Sequence, residues 1–322
     1  MNNFWKNKRI LVTGYEGFLG SNLTKWLLNN KARIIGIDID VRRDKTILTE
    51  NDYDKITVIK GNISDFDFLK EIISKYKIEI IFHLAAEAIV ERALKDPLKT
   101  FSSNIEGTWN ILEACRQYGK VGTIIIASSD KAYGSHKKLP YKEDAPLIGN
   151  HPYDVSKSCA DLIAYAYYHT YNLPVAVTRC GNIYGPGDFN FSRIIPDAIR
   201  CLITGETLLI RSDGRFTRDY VYVDDIVNGY VMLAEKMKKK KLQGEVFNFS
   251  DENPLAVIKL LEIISALTKQ KLNYRVLNKA KYEIKDQFLD SSKARRLLGW
   301  KPKYTLKEGF KETIEWYKRY FS

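Results

Sequence analysis

The chain is poor in the residues that staple a fold, anchor it or load it with metal. Its 322 residues include only four cysteines, Cys115, Cys159, Cys180 and Cys201, and four histidines. The cysteines are widely spaced, form no C-x-x-C pair, and each falls in an apolar or helical stretch. This pattern argues against a disulfide scaffold and a metal site. It predicts buried, reduced thiols in a cytoplasmic protein. No apolar run approaches the ~18 residues of a membrane-spanning helix. Met1 to Lys6 lack the apolar core and cleavage site of a signal peptide and run straight into the first predicted strand. No internal repeat or low-complexity linker is present. What remains is ordinary: 45% hydrophobic and 28% charged residues, in a chain long enough to bury a large core.

One imbalance stands out, a net charge of +12. Most of the excess is lysine spread over the whole length, and the one dense run, Lys238 to Lys241, reads as a solvated loop after a helix. With no nucleic-acid motif and no single basic stripe, the charge fits a mildly positive cleft for an anionic small substrate better than a nucleic-acid surface.

The first half alternates strand and helix. Short apolar runs at Ile10 to Val12, Arg33 to Ile37, Ile56 to Ile59, Glu79 to His83 and Gly122 to Ala127 predict strands. Helices are predicted at Leu19 to Leu28, Phe68 to Tyr76, Pro97 to Tyr118 and Tyr153 to Tyr171, with a further strand at Pro174 to Val177. Continuous apolar strands between helices are the mark of a parallel sheet covered on both faces. After about residue 180 the alternation loosens. Predicted there are helices at Ile194 to Ile203, Ile226 to Lys236, Ala256 to Leu267 and Leu306 to Tyr320, and strands at Tyr220 to Tyr222 and Val246 to Asn248. The expected fold is α/β, a Rossmann doubly wound parallel sheet with a smaller C-terminal α/β substrate lobe. The expected boundaries are 1–178 for the nucleotide-binding domain and 179–322 for the lobe, with a return segment near 219–235 on the Rossmann core.

Gly14, Gly17 and Gly20 form a G-x-x-G-x-x-G loop between the first strand and the first helix. Glycine permits the tight turn and the close approach of a pyrophosphate to a helix N-terminus, where free N–H groups favour anions. Asp38 closes the second strand, where a carboxylate accepts hydrogen bonds from ribose hydroxyls and repels a 2′-phosphate, favouring NAD over NADP. Arg42 and Arg43 follow closely and keep NADP open. Further on, Ser129, Asp130 and Lys131 end an apolar run, ahead of a Tyr-x-x-x-Lys pair, Tyr153 and Lys157. Four apart on a helix, Tyr153 and Lys157 share a face, and an ammonium there lowers the phenol pKa.

Taken in order, Gly14/Gly17/Gly20, His83-Leu84-Ala85-Ala86, Asn104, Tyr153/Lys157 and Arg218-Asp219-Tyr220 resemble the extended short-chain dehydrogenase/reductase family of nucleotide-sugar epimerases and dehydratases. The resemblance extends to Asp290 to Arg295 and Leu298-Gly299-Trp300. It implies a seven-stranded Rossmann sheet, tightly held NAD, and a homodimer through the helices near 97–118 and 153–171. Phe4 to Arg9, Ser129-Asp130-Lys131, His151 to Lys157 and Glu283 to Lys293 are most similar to CDP-glucose 4,6-dehydratases. Four places depart from the patterns of these relatives. Phe18-Leu19 replaces Phe-Lys, and Arg218 to Asp225 follows the generic epimerase sequence. Asn62 stands where many relatives carry an adenine-binding Asp, and an Arg that many UDP-sugar enzymes place before Asp290 is missing.

The roles implied are specific. Gly14, Gly17, Phe18, Leu19, Gly20, Asp38, Asn62, Ile63 and Ala85 would hold the cofactor together with Tyr153 and Lys157. Asn182, Arg193 and Arg218 would meet the diphosphate of a nucleotide-diphosphate hexose. The Tyr153 phenolate would act as base on the sugar O4 hydroxyl while hydride leaves C4, with Ser129 hydrogen-bonded to O4 and Asn104 ordering the proton relay. The new carbonyl acidifies the C5 proton. Asp130, if protonated, would be the acid at the C6 hydroxyl, and Lys131, if neutral, the base at C5, with hydride returned to C6. A plain 4-epimerase has no need of that pair, and the less favoured alternative for Asp130–Lys131 is a structural salt bridge at a strand end. A 4-epimerase, a uronic-acid decarboxylase and a non-catalytic NAD-binding sensor or scaffold are the alternatives.

Overall fold

Seven short apolar segments build one sheet. In this computed structural model, which describes residues 4–280 and 283–322, they are β1 (Arg9–Thr13), β2 (Arg33–Asp38), β3 (Ile56–Lys60), β4 (Ile80–His83), β5 (Thr123–Ala127), β6 (Val175–Cys180) and β7 (Val246–Phe249). Met1 to Asn3, part of the N-terminal reading, lie outside the described residues. The strand order is β7-β6-β5-β4-β1-β2-β3. Every pairing from β3 to β6 is parallel, so the expected doubly wound sheet is present. The order reverses between β1 and β4, and ligands of such sheets bind beyond the strand C-termini at that reversal. Thr13 and His83 are register partners there.

The helices cover the sheet with their apolar stripes. Helix α1 (Phe18–Asn29) buries Leu23, Thr24 and Leu27, and α2 (Phe66–Lys75) buries Leu69, Ile72 and Ile73. The single helix expected over Pro97 to Tyr118 is interrupted. An α-helical turn at Pro97–Phe101 leads into a π-helical stretch at Ser102–Glu106, and regular α-helix resumes as α3 (Gly107–Tyr118). Such widened turns are frequent at functional sites, and this one carries Asn104. Helix α4 (Pro152–Tyr171) follows.

The chain divides into two compact units. The first comprises 1–134, 145–179 and 227–247, and the second 135–144, 180–226 and 248–322. The core of the first includes Leu11, Ile37, Ile81, Ile111, Ile124 and Val177. The second centres on Ile195, Ile199, Leu208, Leu260, Phe310 and Tyr317. Its strands are very short: Asn182–Tyr184 pairs with Tyr220–Tyr222, Leu208–Ile210 with Tyr274–Val276, and Thr217–Arg218 lies between Leu255–Ala256 and Asp286–Gln287. The helix expected at Ile226 to Lys236 runs Val223–Lys240. The lysines from 238 to 240 therefore form its last turns, where cations suit the helix dipole, and are not a loop. Cys115, Cys180 and Cys201 are buried free thiols, whereas Cys159 is only half-buried.

Candidate active site

The glycine loop is fitted so closely that side chains are excluded. Gly14 has φ +70, and a Cβ there would lie 2.8 Å from the Ala85 backbone; a Cβ on Gly20 would lie 2.0 Å from the Gly14 carbonyl oxygen. Gly17 caps α1 without a side-chain hydrogen bond, and the first turn of α1 carries no acid. That contrasts with α2, where the Asp65 side chain accepts from the Phe68 N–H. A helix N-terminus without a side-chain cap, entered through glycines, is a fitting cradle for a pyrophosphate. Phe18 and Leu19 form the first turn of α1 and are half-buried. Ile63 is buried, with its Cδ1 2.5 Å from where a Gly107 Cβ would be. Asn62 is exposed, its Oδ1 accepting from the Ser64 N–H at 3.0 Å.

Asp38 ends β2 as a buried carboxylate, and the Arg43 guanidinium donates to its Oδ1 at 2.5 Å. Burial raises its pKa and outweighs the lowering effect of Arg43. The loop carrying Arg43 is tied down from an unexpected place. Glu16, inside the glycine loop, is buried and accepts from the backbone N–H groups of Arg42 at 2.6 Å and Arg43 at 2.8 Å. The Tyr15 hydroxyl donates to the same carboxylate. Glu16 thus couples the glycine loop to the loop that follows β2.

Helix α4 brings Tyr153 and Lys157 to one buried face. Lys157 Nζ donates to the Ala127 carbonyl at 2.8 Å and lies 6.0 Å from the centre of the Tyr153 ring. Burial pushes the Lys157 amine down to about 8, and the Asp161 carboxylate works against that fall. Asp161 is itself held by Arg179 at 2.9 Å in a fully buried ion pair, and by the Ser128 hydroxyl. Asn104 is buried and committed: Oδ1 accepts from the Glu87 N–H at 2.7 Å, and Nδ2 donates to Glu87 O at 3.1 Å and Ser156 Oγ at 2.9 Å. It therefore ties the segment after β4 to α4, one residue from Lys157.

His83 completes this layer. Thr13 Oγ1 accepts from the N–H groups of Leu84 and Ala85, both at 3.2 Å, so its own proton goes to His83 Nδ1 at 2.9 Å. Thr108 donates to Asn104 O at 2.6 Å, which leaves a lone pair for the His83 Nε2 proton at 3.4 Å. The network assigns the Nε2–H tautomer. Burial, helped by the Lys157 charge, pushes the ring pKa down to about 3, so His83 is a neutral spacer fixing the Ala85 backbone.

Ser129, Asp130 and Lys131 lie on a 3₁₀ turn, Asp130–Tyr133, that follows β5. Ser129 Oγ accepts from the Lys131 N–H at 3.2 Å and donates to Asp130 Oδ1 at 3.0 Å. Asp130 is buried and Lys131 half-buried. The turn is fastened to α4 by Ser158, whose Oγ is 2.8 Å from Ala132 O and 3.0 Å from Asp154 O. The five residues Ser129, Asp130, Lys131, Tyr153 and Lys157 thus occupy one turn and the first helical turns fastened to it.

The three residues expected on the diphosphate lie in the second unit. Asn182 begins the strand paired with Tyr220–Tyr222. Arg193 pairs with the buried Asp188 at 3.0 Å. Arg218 is buried and donates to the carbonyls of Thr217, Ile284 and Lys285. Sequence reasoning missed Glu16, the His83 network and the Asp161–Arg179 pair. Glu16 fills a variable position of the loop, so spacing carries no sign of it. His83 becomes informative only through its register opposite Thr13.

The family described as GDP-mannose 4,6 dehydratase matches residues 11–313. CDP-glucose 4,6-dehydratase of Salmonella typhimurium is 31% identical, over 98% of this chain and 92% of its own length. UDP-glucuronate 4-epimerase of Thermodesulfobacterium geofontis is 32% identical, over 96% of this chain and 95% of its own. The crystal structure of dTDP-glucose 4,6-dehydratase from Bacillus anthracis in complex with NAD superposes with a TM-score of 0.85 at 30% identity, covering 97% of each chain. The chain therefore belongs to the GDP-mannose 4,6-dehydratase family of extended short-chain dehydrogenases/reductases, NAD-dependent enzymes that dehydrate or epimerise sugar nucleotides.

Proposed function

We propose that this chain is an NAD-dependent 4,6-dehydratase that converts CDP-glucose, or a closely similar nucleotide-diphosphate hexose, to the 4-keto-6-deoxy sugar nucleotide. The observation that carries the reading is the Asp130–Lys131 pair on a turn fastened by Ser158 to the helix of Tyr153 and Lys157. Removal of water needs an acid and a base beyond the Tyr/Lys couple, and epimerisation at C4 does not. The similarity to CDP-glucose 4,6-dehydratase over 98% of the chain supports the same choice.

NAD bound at the glycine cradle supplies the hydride acceptor for C4 and the hydride donor for C6. Tyr153 takes the O4 proton, with the Lys157 ammonium favouring its phenolate. Ser129 hydrogen-bonds O4, and Asn104 orders the relay by fixing the segment after β4 against α4. The 4-keto group makes the C5 proton acidic. Lys131 removes that proton and Asp130 protonates the C6 hydroxyl, which leaves as water. Asn182, Arg193 and Arg218 meet the diphosphate, where guanidinium suits phosphate oxygens. We place this chemistry in the cytoplasm, in keeping with four free thiols. A homodimer goes with the reading, because the helices near 97–118 and 153–171 leave large apolar side chains exposed, Leu98 at 80% and Leu162 at 59% among them.

A 4-epimerase is the second reading, favoured by the 32% identity to a 4-epimerase and by the generic sequence at Arg218 to Asp225. Pure protein incubated with CDP-, dTDP-, UDP- and GDP-hexoses distinguishes the two by mass spectrometry. Loss of one water from a CDP-hexose is the expected result. An unchanged mass with a new C4 epimer by NMR rejects the dehydratase reading.

A further inference from the structure

Two arginines, Arg42 and Arg43, follow Asp38 closely, and the sequence leaves them open to a 2′-phosphate. The fold sends them different ways. The Arg43 guanidinium donates to Asp38 Oδ1 at 2.5 Å. The Arg42 guanidinium lies 2.7 Å from the Glu50 carboxylate and 5.0 Å from the centre of the Tyr53 ring. The backbone between them is strained. Arg42 has φ +56, in the left-handed region that a residue with a Cβ enters only at a cost. Such a conformation persists where its surroundings impose it.

Glu16 is the group that imposes it. Its side chain is 3% exposed, and each oxygen takes one backbone N–H of the pair, Oε1 that of Arg42 at 2.6 Å and Oε2 that of Arg43 at 2.8 Å. The Tyr15 hydroxyl also donates to Oε1. The Tyr15 ring is seated on β2, where a Cβ on Gly36 would lie 2.6 Å from its Cγ. The clamp therefore has a firm base in the glycine loop, 26 residues from the arginine it holds. A buried carboxyl group is costly unless its hydrogen bonds are made, and here two amides and a phenol make them. Because the bonds run to the backbone, Glu16 fixes the course of the loop and, through it, the direction of both guanidinium groups.

We propose that Glu16 is a specificity-determining positioning residue for the dinucleotide: by clamping the left-handed turn at Arg42 it commits Arg43 to Asp38, and so keeps an arginine suited to a 2′-phosphate from meeting one. The inference rests on NAD binding at the glycine loop with its adenosine ribose at Asp38. Discrimination against NADP then has two parts. The Asp38 carboxylate repels a 2′-phosphate. Arg43 offers that phosphate no compensation, because its Nη2 is engaged by Asp38 and its Nε by Asp40 O at 3.3 Å. Without the clamp the turn relaxes out of the left-handed region and Arg43 parts from Asp38. Its guanidinium is then available to phosphate oxygens in bidentate fashion.

Two measurements decide. The first is isothermal titration of the full-length protein, stripped of dinucleotide, with NAD and with NADP. Wild type is compared with Glu16→Ala, Arg43→Ala and the double variant. Glu16→Ala should narrow the preference for NAD by roughly tenfold or more, the worth of one charge-assisted contact, through a gain in NADP affinity. The double variant should lose that gain, because it belongs to Arg43. Glu16→Gln, which fills the same space, should shift the ratio in the same direction by less, and it serves if the alanine variant does not fold. Equal weakening of both dinucleotides would mean that Glu16 supports only the glycine loop, and overturns the proposal. An NADP gain that survives the loss of Arg43 overturns it as well. The second measurement needs no cofactor. Trypsin cuts after arginine, and mass spectrometry of the fragments should show faster cutting after Arg42 and Arg43 in Glu16→Ala than in wild type, with other sites unchanged. An unchanged rate at these two sites overturns the clamp. Asp38→Ala separates the two failures. Unaltered NAD binding in that variant rejects the ribose reading and the proposal with it. Weakened NAD binding there, beside an unchanged NAD/NADP ratio in Glu16→Ala, rejects the proposal alone.

Discussion

Lys157 Nζ stands 6.0 Å from the centre of the Tyr153 ring, one helical turn along the same buried face of α4. The cation proposed to favour the phenolate is therefore itself expensive to keep charged, and burial holds its pKa to about 8. Lys157→Met should reduce C4 oxidation by roughly 10²–10⁴-fold near neutral pH. The defect should narrow as pH rises well above 8, where the wild-type amine loses its charge and solvent ionises Tyr153 unaided. Single-turnover nicotinamide reduction at several pH values reads this out. A defect of constant size across pH 7 to 10 would show that the ammonium charge is not what Lys157 contributes.

Asp38 and Arg43 form an ion pair at the end of β2, braced by Glu16, where we propose that the adenosine ribose binds. On this proposal, replacing Asp38 by Ala would remove the acceptor for the ribose hydroxyls and leave Arg43 without its carboxylate partner, available to a 2′-phosphate. NAD affinity should fall about 10–100-fold, the worth of charge-assisted hydrogen bonds, while NADP affinity rises. Isothermal titration of cofactor-free protein with each dinucleotide checks both directions. Glu16→Gln should weaken NAD binding less, since the amide still accepts one of the two backbone bonds.

Asp154, buried in the first turn of α4, leaves a mark on stability. Its folded pKa lies above the unfolded one, so between pH 3.8 and about 6 the folded chain binds more protons and stability falls as pH rises through that window. Keeping the carboxylate ionised at neutral pH then costs up to about 3 kcal/mol. Asp154→Asn should accordingly raise Tm at pH 7 and leave it nearly unchanged at pH 4, measured by scanning calorimetry. Equal shifts at both pH values would mean that the substitution acts through packing.

Much of this was legible in the sequence because the parallel sheet demands continuous apolar runs and the cradle demands glycine. β1 to β6 fall where those runs are, and Gly14 and Gly20 fall where the backbone admits no side chain, with Gly17 tight between them. The short strands at Leu208–Ile210 and Tyr274–Val276 have too few residues to show a period, and only their pairing with each other defines them. The π-helical turn around Asn104 has the sequence of an ordinary helix. Its widening goes with the bonds Asn104 makes to Glu87 and Ser156, far away in sequence. Asp130, Lys131, Tyr153 and Lys157 could be singled out by spacing and residue type. Asp154 could not, because its burial depends on Gly149 and on a turn that precedes the helix by some twenty residues.

The fate of one hydrogen tests the central claim most directly. CDP-glucose carrying deuterium at C4 is incubated with the protein and the product is examined by NMR. A 4,6-dehydratase transfers the label from C4 to the new C6 methyl group as water is lost, and that is the result expected here. Label returned to C4, with the C6 hydroxyl intact and the configuration at C4 inverted, would contradict the assignment and make Asp130 and Lys131 a structural pair in an epimerase.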